Sequence, residues 1–260
     1  MDVKIDSSFG LVEALKVVEG DVVSLVGAGG KTTTLYGIAS ELRRHGKSVI
    51  TTTTTNMQMP RYATTMPPLV YAADEDDWLE TVRIRVGRYG SATVVGARER
   101  EDKIRGLAPE QIVLLRELAD CVVLEADGAR GRSLKAPASH EPVIPEVTTL
   151  TIVLAGIDAL GLPLDENIVH RLDEVSEITG AQTGTPITEE LIAKTLVTGY
   201  LDKIPHASGR TFFINKVDDS QTEPAESIGR ALISMGASEV VFGQARTPHG
   251  CFYRMTPRKP

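Results

Sequence analysis

Short apolar runs alternate with amphipathic stretches along this chain. Val22–Val26 is rich in β-branched residues and predicts a buried strand. In Thr32–Arg44 the apolar residues recur at i, i+3, i+4 and i+7, which is the spacing of one face of a helix. Gly46 ends this helix, and Ser48–Thr52 predicts the strand that follows. The N-terminal part of the chain is therefore expected to run strand, helix, strand.

The same alternation continues towards the C-terminus. Further helices are expected over Asp76–Arg88, Pro109–Ala119, Thr185–Val197 and a last stretch that ends at Gly236. Further strands are expected over Ala92–Gly96, Cys121–Leu124, Leu150–Ala155, Arg210–Ile214 and, as the closing strand, Val240–Phe242. Such alternation predicts an α/β fold with a mostly parallel sheet and helices on both faces.

No repeat, low-complexity tract or linker divides the sequence, so we expect a single domain over residues 1–260. The segment Thr53–Leu69 contains Pro60, Pro67 and Pro68, and it is expected to be an inserted, loop-rich segment.

The most informative chemical signal lies between the first predicted strand and the first predicted helix. Its sequence is Gly27, Ala28, Gly29, Gly30, Lys31, Thr32 and Thr33. Glycines let consecutive backbone amides turn towards one anion, and the following helix N-terminus adds positive potential. Lys31 is expected to reach the β- and γ-phosphates of a nucleoside triphosphate, and the Thr32 hydroxyl to ligate Mg²⁺. The alternative is an ordinary glycine-rich turn.

The spacing of this loop departs from the standard pattern G-x-x-x-x-G-K-S/T. Leu25 occupies the position of the first glycine in that pattern. The loop is closer to the variant loops of SRP-type and MinD-type GTPases and ATPases, although Val26 stands where the MinD type has a signature lysine. We therefore expect a P-loop NTPase-like fold of this SRP/MinD-type class.

A second motif follows the strand predicted at Arg210–Ile214. Asn215, Lys216 and Asp218 match N-K-x-D, the guanine-recognition sequence of P-loop GTPases. The Asp carboxylate there accepts both N–H donors of guanine, and adenine does not offer that pair. The motif favours GTP over ATP as the ligand. The alternative is a polar turn after a strand.

Carboxylates follow another apolar strand, Cys121–Leu124, in the manner of a Walker-B strand. Glu125 and Asp127 are both candidates to hold Mg²⁺ or to orient the attacking water, and Thr32 with Asp127 is the metal pair we favour. Lys31, Glu125 and Asp127 are the predicted catalytic residues. Asp127 also precedes a glycine, and the alternative is that this Asp-Gly pair simply forms a turn. The hydroxyls of Thr51–Thr55 can line the nucleotide site, or this run is simply strand sequence.

Composition and charge restrict the class of partner. Aromatic residues make up 5% of the 260 residues and hydrophobic residues 42%, which favours a core of aliphatic side chains. The net charge of -7 argues against nucleic acid or an anionic membrane as partner. The sequence shows no signal peptide and no apolar run of transmembrane length, so a cytoplasmic protein is expected. Cys121 and Cys251 suggest neither a disulfide framework nor a metal site.

Several segments together resemble one family over most of the chain: VSLVGAGGKTTTLYGIASEL, VITTTTTNMQMP, VVLEADGARGRSLKAPASHEPVIP, AGIDALGLPL with VHR after it, and FFINKVD. The sequence is similar to YqeC-type proteins, the selenium-dependent hydroxylase accessory (selenium cofactor biosynthesis) family. The resemblance implies a role in maturing molybdenum hydroxylases that carry a labile selenium cofactor.

The resemblance also implies a functional loop over about residues 127–145. It adds candidate substrate or switch residues, which are Arg130, Lys135, His140, Glu141, His170 and Arg171. Lys135, His140 and Arg171 can bind an anionic partner such as a pyranopterin phosphate, or form a switch that reports the γ-phosphate. The alternative is a long loop pinned by a Lys–Glu pair and a histidine hydrogen bond.

Three functions are compatible with these residues. The leading hypothesis is a GTP- or ATP-hydrolysing maturation factor that uses Mg²⁺ and acts as a homodimer on a molybdenum hydroxylase or on its cofactor machinery. The second is a transferase that uses the triphosphate to modify a small acceptor, such as one related to the molybdenum cofactor. The third is a nucleotide-gated binding module without turnover.

Overall fold

The computed structural model describes residues 2–58, 69–74, 76–101, 103–246 and 250–258. The strands are β1 Val3–Phe9, β2 Val22–Gly27, β3 Val49–Thr53, β4 Met57–Gln58, β5 Val70–Tyr71, β6 Ser91–Val95, β7 Ala97–Arg100, β8 Lys103–Arg105, β9 Cys121–Glu125, β10 Leu134–Lys135, β11 Leu150–Gly156, β12 Val169–His170, β13 Gly209–Asn215, β14 Val240–Gly243 and β15 Phe252–Pro257. The helices are α1 Leu11–Ala14, α2 Lys31–Arg44, α3 Trp78–Tyr89, α4 Pro109–Leu115, α5 Leu172–Thr179, α6 Glu189–Tyr200 and α7 Thr222–Ser234.

In the part of the chain that the structure describes, a ten-stranded sheet has the order β1-β15-β14-β13-β11-β2-β9-β3-β6-β5. Every neighbouring pair from β14 to β5 is parallel. The remaining two pairs, β14 with β15 and β15 with β1, are antiparallel. The prediction of a mostly parallel sheet is confirmed. The candidate motifs lie at the carboxyl ends of parallel strands, and these ends are on the same side of the sheet.

Helices cover both faces of the sheet, as predicted. On β2, Val23 and Leu25 pack with α1 and α2 on one face. Val22 and Val26 belong to the other core cluster, which also takes in apolar residues of α3 to α7. Side chains alternate along a strand, so a strand that is buried on both sides is apolar along most of its length. The apolar run at Val22–Val26 has this physical cause.

Three predictions about element bounds are wrong. Val240–Phe242 is not the closing strand, because β15 follows β14 and pairs with β1. The helix predicted from Thr185 begins only at Glu189, where the Thr188 side chain accepts a hydrogen bond from the Leu191 amide. The helix predicted to reach Ala119 ends at Leu115.

The inserted segment and the functional loop both contain regular structure. Met57–Gln58 of the predicted loop-rich segment pairs with β8, which also pairs with β7 in a small antiparallel sheet. Pro60, Pro67 and Pro68 lie outside the described residues. Within the functional loop, β10 runs parallel to β12, with Lys135 opposite His170. This pairing fixes the middle of the loop beside the sheet.

Among the helices that the structure describes, every one is too short or too polar to traverse a lipid bilayer.

Candidate nucleotide site

The turn between β2 and α2 has the backbone geometry of a phosphate loop. Gly27, Gly29 and Gly30 have φ angles of 93°, 80° and 116°, in the region that glycine adopts without strain. The Lys31 ammonium folds back and donates to the Gly27 carbonyl at 2.6 Å. Gly30 precedes the first turn of α2 and offers no side-chain cap to it. The first amides of this helix have no partner within the helix, so the turn presents donors and one buried ammonium group to an anion.

Neighbouring backbone packs directly against this turn. A Cβ on Gly29 would lie 2.1 Å from the Gly156 amide nitrogen, at the end of β11. The Gly29 amide itself donates to the Arg132 carbonyl at 3.0 Å. A Cβ on Gly30 would lie 2.6 Å from the Asn215 side-chain nitrogen. Glycine is required at these positions because neighbouring atoms approach closely and because φ is positive.

Glu125 lies beside Thr32. The Thr32 hydroxyl donates to Glu125 Oε1 at 2.5 Å, and the Glu125 side chain is buried at the end of β9. Burial raises the pKa of Glu125, although the charge of Lys31 and the hydrogen bond from Thr32 act against the shift. A hydroxyl and a carboxylate at hydrogen-bond distance are oxygen donors of the type that Mg²⁺ prefers.

Asp127 occupies a different position, between two buried lysines. Lys31 Nζ lies 3.1 Å from its Oδ1, and Lys135 Nζ lies 3.0 Å from its Oδ2. The same Oδ2 accepts from the Gly27 amide at 3.0 Å and from the Tyr200 hydroxyl at 3.1 Å. With these partners Asp127 balances buried ammonium charge. The arrangement therefore disfavours the predicted metal pair of Thr32 and Asp127, and Glu125 is the carboxylate that adjoins Thr32.

Lys135 connects this cluster to the functional loop. Besides Asp127, its fully buried ammonium contacts Glu141 Oε2 at 3.0 Å and the Gly128 carbonyl at 2.5 Å. Arg171 donates from Nε to the same Glu141 oxygen at 3.0 Å. Burial alone would raise the pKa of Glu141, but the hydrogen bond from Arg171 and the charge of Lys135 outweigh it and lower that pKa to about 2. The Lys–Glu pair of the pinned-loop alternative is thus present.

The other candidates in this region are more open to solvent. His170 is half-buried, and its burial together with the charges of Lys135 and Arg171 lowers its pKa to about 4. Arg130 and His140 are exposed. Lys135, Glu141, His170 and Arg171 therefore form one contiguous group, whereas Arg130 and His140 lie at its surface.

Of the N-K-x-D residues, Asn215 contacts the phosphate turn. The buried Asn215 side chain donates to the Gly29 carbonyl at 2.9 Å and accepts from the Ala245 amide at 3.0 Å. Lys216 Nζ contacts Asp158 at 2.7 Å and donates to the Ser133 hydroxyl at 2.9 Å. Asp218 is exposed and accepts from the Ser220 amide and hydroxyl. The motif lies, like the turn, at the carboxyl ends of the parallel strands.

Sequence reasoning missed Tyr200 and Asp158. Tyr200 is fully buried in α6, where its ring resembles an ordinary core residue and only its hydroxyl reaches Asp127. Asp158 lies in a short 3₁₀ turn after β11, in the segment AGIDALGLPL, and only its contact with Lys216 indicates a role. The sequence signal that could have found Tyr200 is a tyrosine on the apolar face of a helix.

The fold and the turn between β2 and α2 together define an α/β protein with a P-loop-like turn. Residues 23–173 match the model of the family described as YqeC protein. An uncharacterized YqeC protein of Escherichia coli (strain K12) is 33% identical over 212 residues, which cover 79% of this chain and 80% of that protein. The chain belongs to the YqeC family.

Solved structures of FtsY resemble the chain in part. Chloroplast FtsY from Physcomitrella patens has 14% identity and a TM-score of 0.43, covering 85% of this chain and 58% of that one. Signal recognition particle receptor FtsY from Elizabethkingia anophelis has 13% identity and a TM-score of 0.36, covering 85% of this chain and 57% of that one. Cell division protein FtsY from Thermotoga maritima has 16% identity and a TM-score of 0.39, covering 92% of this chain and 72% of that one. The chain spans less than two thirds of the length of the first two proteins. Its fold is assigned from its own strand order.

We expect Gly29→Ala to destabilise the protein by about 3 kcal/mol or more, because it adds a backbone clash to an unfavourable φ. Gly131→Ala is the matched control, since Gly131 has a similar φ of 75° and a Cβ added there would meet no atom within 4 Å. The control should lose only about 1 kcal/mol. Urea unfolding measures both, and equal losses would contradict the close approach at Gly29.

We expect His170 to make stability pH-dependent. Between its ordinary pKa of 6.5 and its folded pKa of about 4, the unfolded chain binds more protons than the folded one. The free energy of unfolding should therefore fall as pH drops through this range, and that of His170→Gln should fall less steeply. Urea unfolding at several pH values above 5 avoids most of the titration of Glu141. Identical slopes in both proteins would argue against a depressed His170 pKa.

Proposed function

We propose that this protein binds a nucleoside triphosphate, GTP in preference to ATP, together with Mg²⁺, and hydrolyses it. The observation that carries the proposal is the Lys31 ammonium, which folds into the glycine turn 2.6 Å from the Gly27 carbonyl. An ammonium group inside a glycine turn at a helix N-terminus is an arrangement suited to polyphosphate.

The charge balance of the site supports a role for a cation. Three cations (Lys31, Lys135 and Arg171) and two carboxylates (Asp127 and Glu141) form a chain of ion pairs that begins at the turn, and the charge of Lys31 also acts on Glu125. Such a set has little surplus charge with which to neutralise a triphosphate. Thr32 and Glu125 would hold Mg²⁺, which when bound neutralises charge that develops on the transferred phosphoryl group.

Lys31 can move to a phosphate without leaving Asp127 unpaired. Its contact with Asp127 Oδ1 is an ion pair, and that oxygen makes no hydrogen bond among the described residues. Asp127 would keep Lys135, Tyr200 and the Gly27 amide as partners. In this proposal Lys31 binds the β- and γ-phosphates, Glu125 orients or deprotonates the attacking water, and Asp127 positions both lysines.

Guanine preference is proposed from the N-K-x-D residues. Asn215 joins the phosphate turn to the loop after β14, so the base would lie between these two segments. The exposed Asp218 carboxylate is available to accept the two N–H donors of guanine once it exchanges its contact with Ser220. Lys216 would stack along the base.

The client is proposed from family membership. Resemblance to the selenium-dependent hydroxylase accessory family supports a molybdenum hydroxylase, or the machinery of its cofactor, as the partner. We propose further that the protein acts in the cytoplasm as a homodimer, as a single nucleotide-binding domain. Arg130 and His140, exposed beside Lys135, would face this partner.

Calorimetric titration with GTP and ATP tests nucleotide binding. Wild type should bind GTP more tightly, and Lys31→Ala should weaken binding of both nucleotides by about 2–3 kcal/mol because a charge-assisted contact is lost. Asp218→Ala should remove the preference for GTP and leave ATP affinity unchanged. Equal affinities of wild type for GTP and ATP would remove the guanine claim. Unchanged affinity in Lys31→Ala would remove the site.

Phosphate release without any acceptor tests hydrolysis. Glu125→Gln keeps the side-chain shape, and we expect it to lower kcat by about 10²–10⁴-fold while the protein stays folded. Asp127→Asn is the contrasting variant, because it leaves two buried lysines without their shared carboxylate and should cost about 3–5 kcal/mol of stability. Wild-type turnover in Glu125→Gln would refute the assigned role. Tight binding without turnover by the wild type would instead support a nucleotide-gated module.

A further inference from the structure

The segment that follows β9 forms part of the rim of the phosphate turn. The Arg132 carbonyl accepts from the Gly29 amide at 3.0 Å, and the next carbonyl, that of Ser133, accepts from the Gly156 amide at 2.8 Å. The Ser133 hydroxyl accepts from Lys216 Nζ at 2.9 Å. Arg132 is therefore held at the phosphate turn by its own backbone and by the contacts of the residue after it.

The chain that leads into Arg132 has a defined conformation. The Arg132 amide donates to the Ala129 carbonyl at 2.9 Å, which closes a tight turn over residues 129–132. The two central residues, Arg130 and Gly131, have φ angles of 48° and 75°. A residue other than glycine rarely adopts such a φ, and it persists there only where the surrounding contacts hold it. The backbone from which the Arg132 side chain departs is thus fixed beside Gly29.

The Arg132 guanidinium group has no partner in the part of the chain that the structure describes. Its side chain is half-buried, and it makes no hydrogen bond or ion pair with a described residue. A guanidinium group stays charged at ordinary pH, and its five N–H donors form a planar fork that matches a phosphate. Arg130 is exposed as well, but no described hydrogen bond joins its backbone to the phosphate turn.

The other cations at the turn are already paired. Lys31 and Lys135 share Asp127, and Lys135 and Arg171 share Glu141. Mg²⁺ offsets a part of the charge of a bound triphosphate, and charge-assisted hydrogen bonds from a guanidinium group offset more of it. Because it has no carboxylate partner, the Arg132 guanidinium can supply them without breaking an ion pair.

The course of the segment indicates which phosphates lie near Arg132. The segment leaves β9 at Glu125, beside Thr32, and then passes Asp127, whose carboxylate contacts Lys31. In the proposed function, Lys31 binds the β- and γ-phosphates, and Glu125 acts on the attacking water. Arg132 returns the same segment to the turn, so its side chain starts beside the end of the triphosphate at which the reaction occurs.

We propose that Arg132 binds the γ-phosphate and stabilises the charge that develops during its transfer to water. The inference rests on the proposed function, and it adds a catalytic residue to that site. The water oxygen bonds to the γ-phosphorus while the bond from that phosphorus to the β–γ bridging oxygen breaks. The electron pair of the broken bond stays on the diphosphate, and the protons of the water leave with the products. The N–H donors of Arg132 neutralise charge on the transferred group, which is what an arginine supplied by the same chain does in some GTPases.

GTP hydrolysis and nucleotide binding by Arg132 variants test this inference. Arg132→Ala should lower kcat by about 10³-fold or more, because the charge of the transferred group loses its guanidinium partner. It should weaken GTP binding about tenfold and leave GDP affinity within about twofold of wild type, since GDP has no γ-phosphate. Arg132→Lys keeps the charge without the planar fork, and its kcat should lie between those of Arg132→Ala and wild type.

A matched control and a rescue experiment separate catalysis from folding. Arg85 on α3 is also half-buried without a hydrogen bond or ion pair to a described residue, and Arg85→Ala should keep wild-type kcat and affinities. Free guanidinium ion, below the concentrations that unfold the protein, should raise the kcat of Arg132→Ala but not that of Arg85→Ala. A side chain that served only the fold would not be replaced by a free ion. If Arg132→Ala does not fold, Arg132→Gln, which keeps most of the side-chain length without the charge, takes its place.

The outcomes separate this inference from the proposed function. If wild type hydrolyses GTP and Arg132→Ala does so at the same rate, the guanidinium only faces solvent, and the inference fails while the proposed function stands. If Arg132→Ala weakens GTP and GDP equally, Arg132 does not read the γ-phosphate, and the inference fails as well. If wild type binds no nucleotide, or binds GTP without hydrolysing it, the proposed hydrolysis fails, and the catalytic role of Arg132 fails with it.

Discussion

The rest of the site depends on the pairing of one buried carboxylate. Asp127 has no exposed surface, and an ionised carboxylate in such a place is tolerated only when cations and hydrogen-bond donors surround it. Its partners come from the phosphate turn, from β10 and from α6. These three segments are far apart in sequence, so Asp127 fixes their relative positions. Lys31 and Lys135 thereby share one carboxylate.

Backbone contacts reinforce this coupling. The Arg132 carbonyl accepts from the Gly29 amide, and the Ser133 carbonyl accepts from the Gly156 amide. Ser133 also receives a hydrogen bond from Lys216, at the opposite side of the turn. The functional loop therefore contacts both the phosphate turn and the N-K-x-D residues. The described contacts and ion pairs are compatible with a pinned loop and with a switch.

Much of the central sheet could be predicted from sequence because its strands are buried on both faces. The strands β2, β9 and β11 are buried along their whole length and are mostly apolar, β13 contains a buried apolar run, and the glycine turn follows β2 directly. The edge strand β1 and its neighbour β15 escaped prediction, since both mix polar and apolar residues and are only partly buried. Thr185 seemed to start a helix, but its carbonyl accepts from the Leu164 amide, a contact that local sequence does not reveal.

The roles of the two carboxylates could not be separated from sequence for a related reason. Alternation places Glu125 and Asp127 on one side of an extended chain, but β9 ends at Glu125 and the alternation ends with it. What sends Asp127 to the lysines is the position of Lys135 and Tyr200, which only the folded chain determines.

The resulting site is asymmetric across the phosphate turn. The side built by β10, β12 and α6 contains Lys135 and Arg171 and suits anions, whereas the side built by β3 and β6 contains hydroxyls, apolar walls and Glu125. A triphosphate bound on Lys31 would lie between these two environments. The described lining of the β3–β6 side contains no cationic side chain, so an anionic partner would find its side-chain counter-charges at Lys135 and Arg171. In the proposed arrangement, an anionic client would therefore reach the γ-phosphate from the side of Lys135 and Arg171.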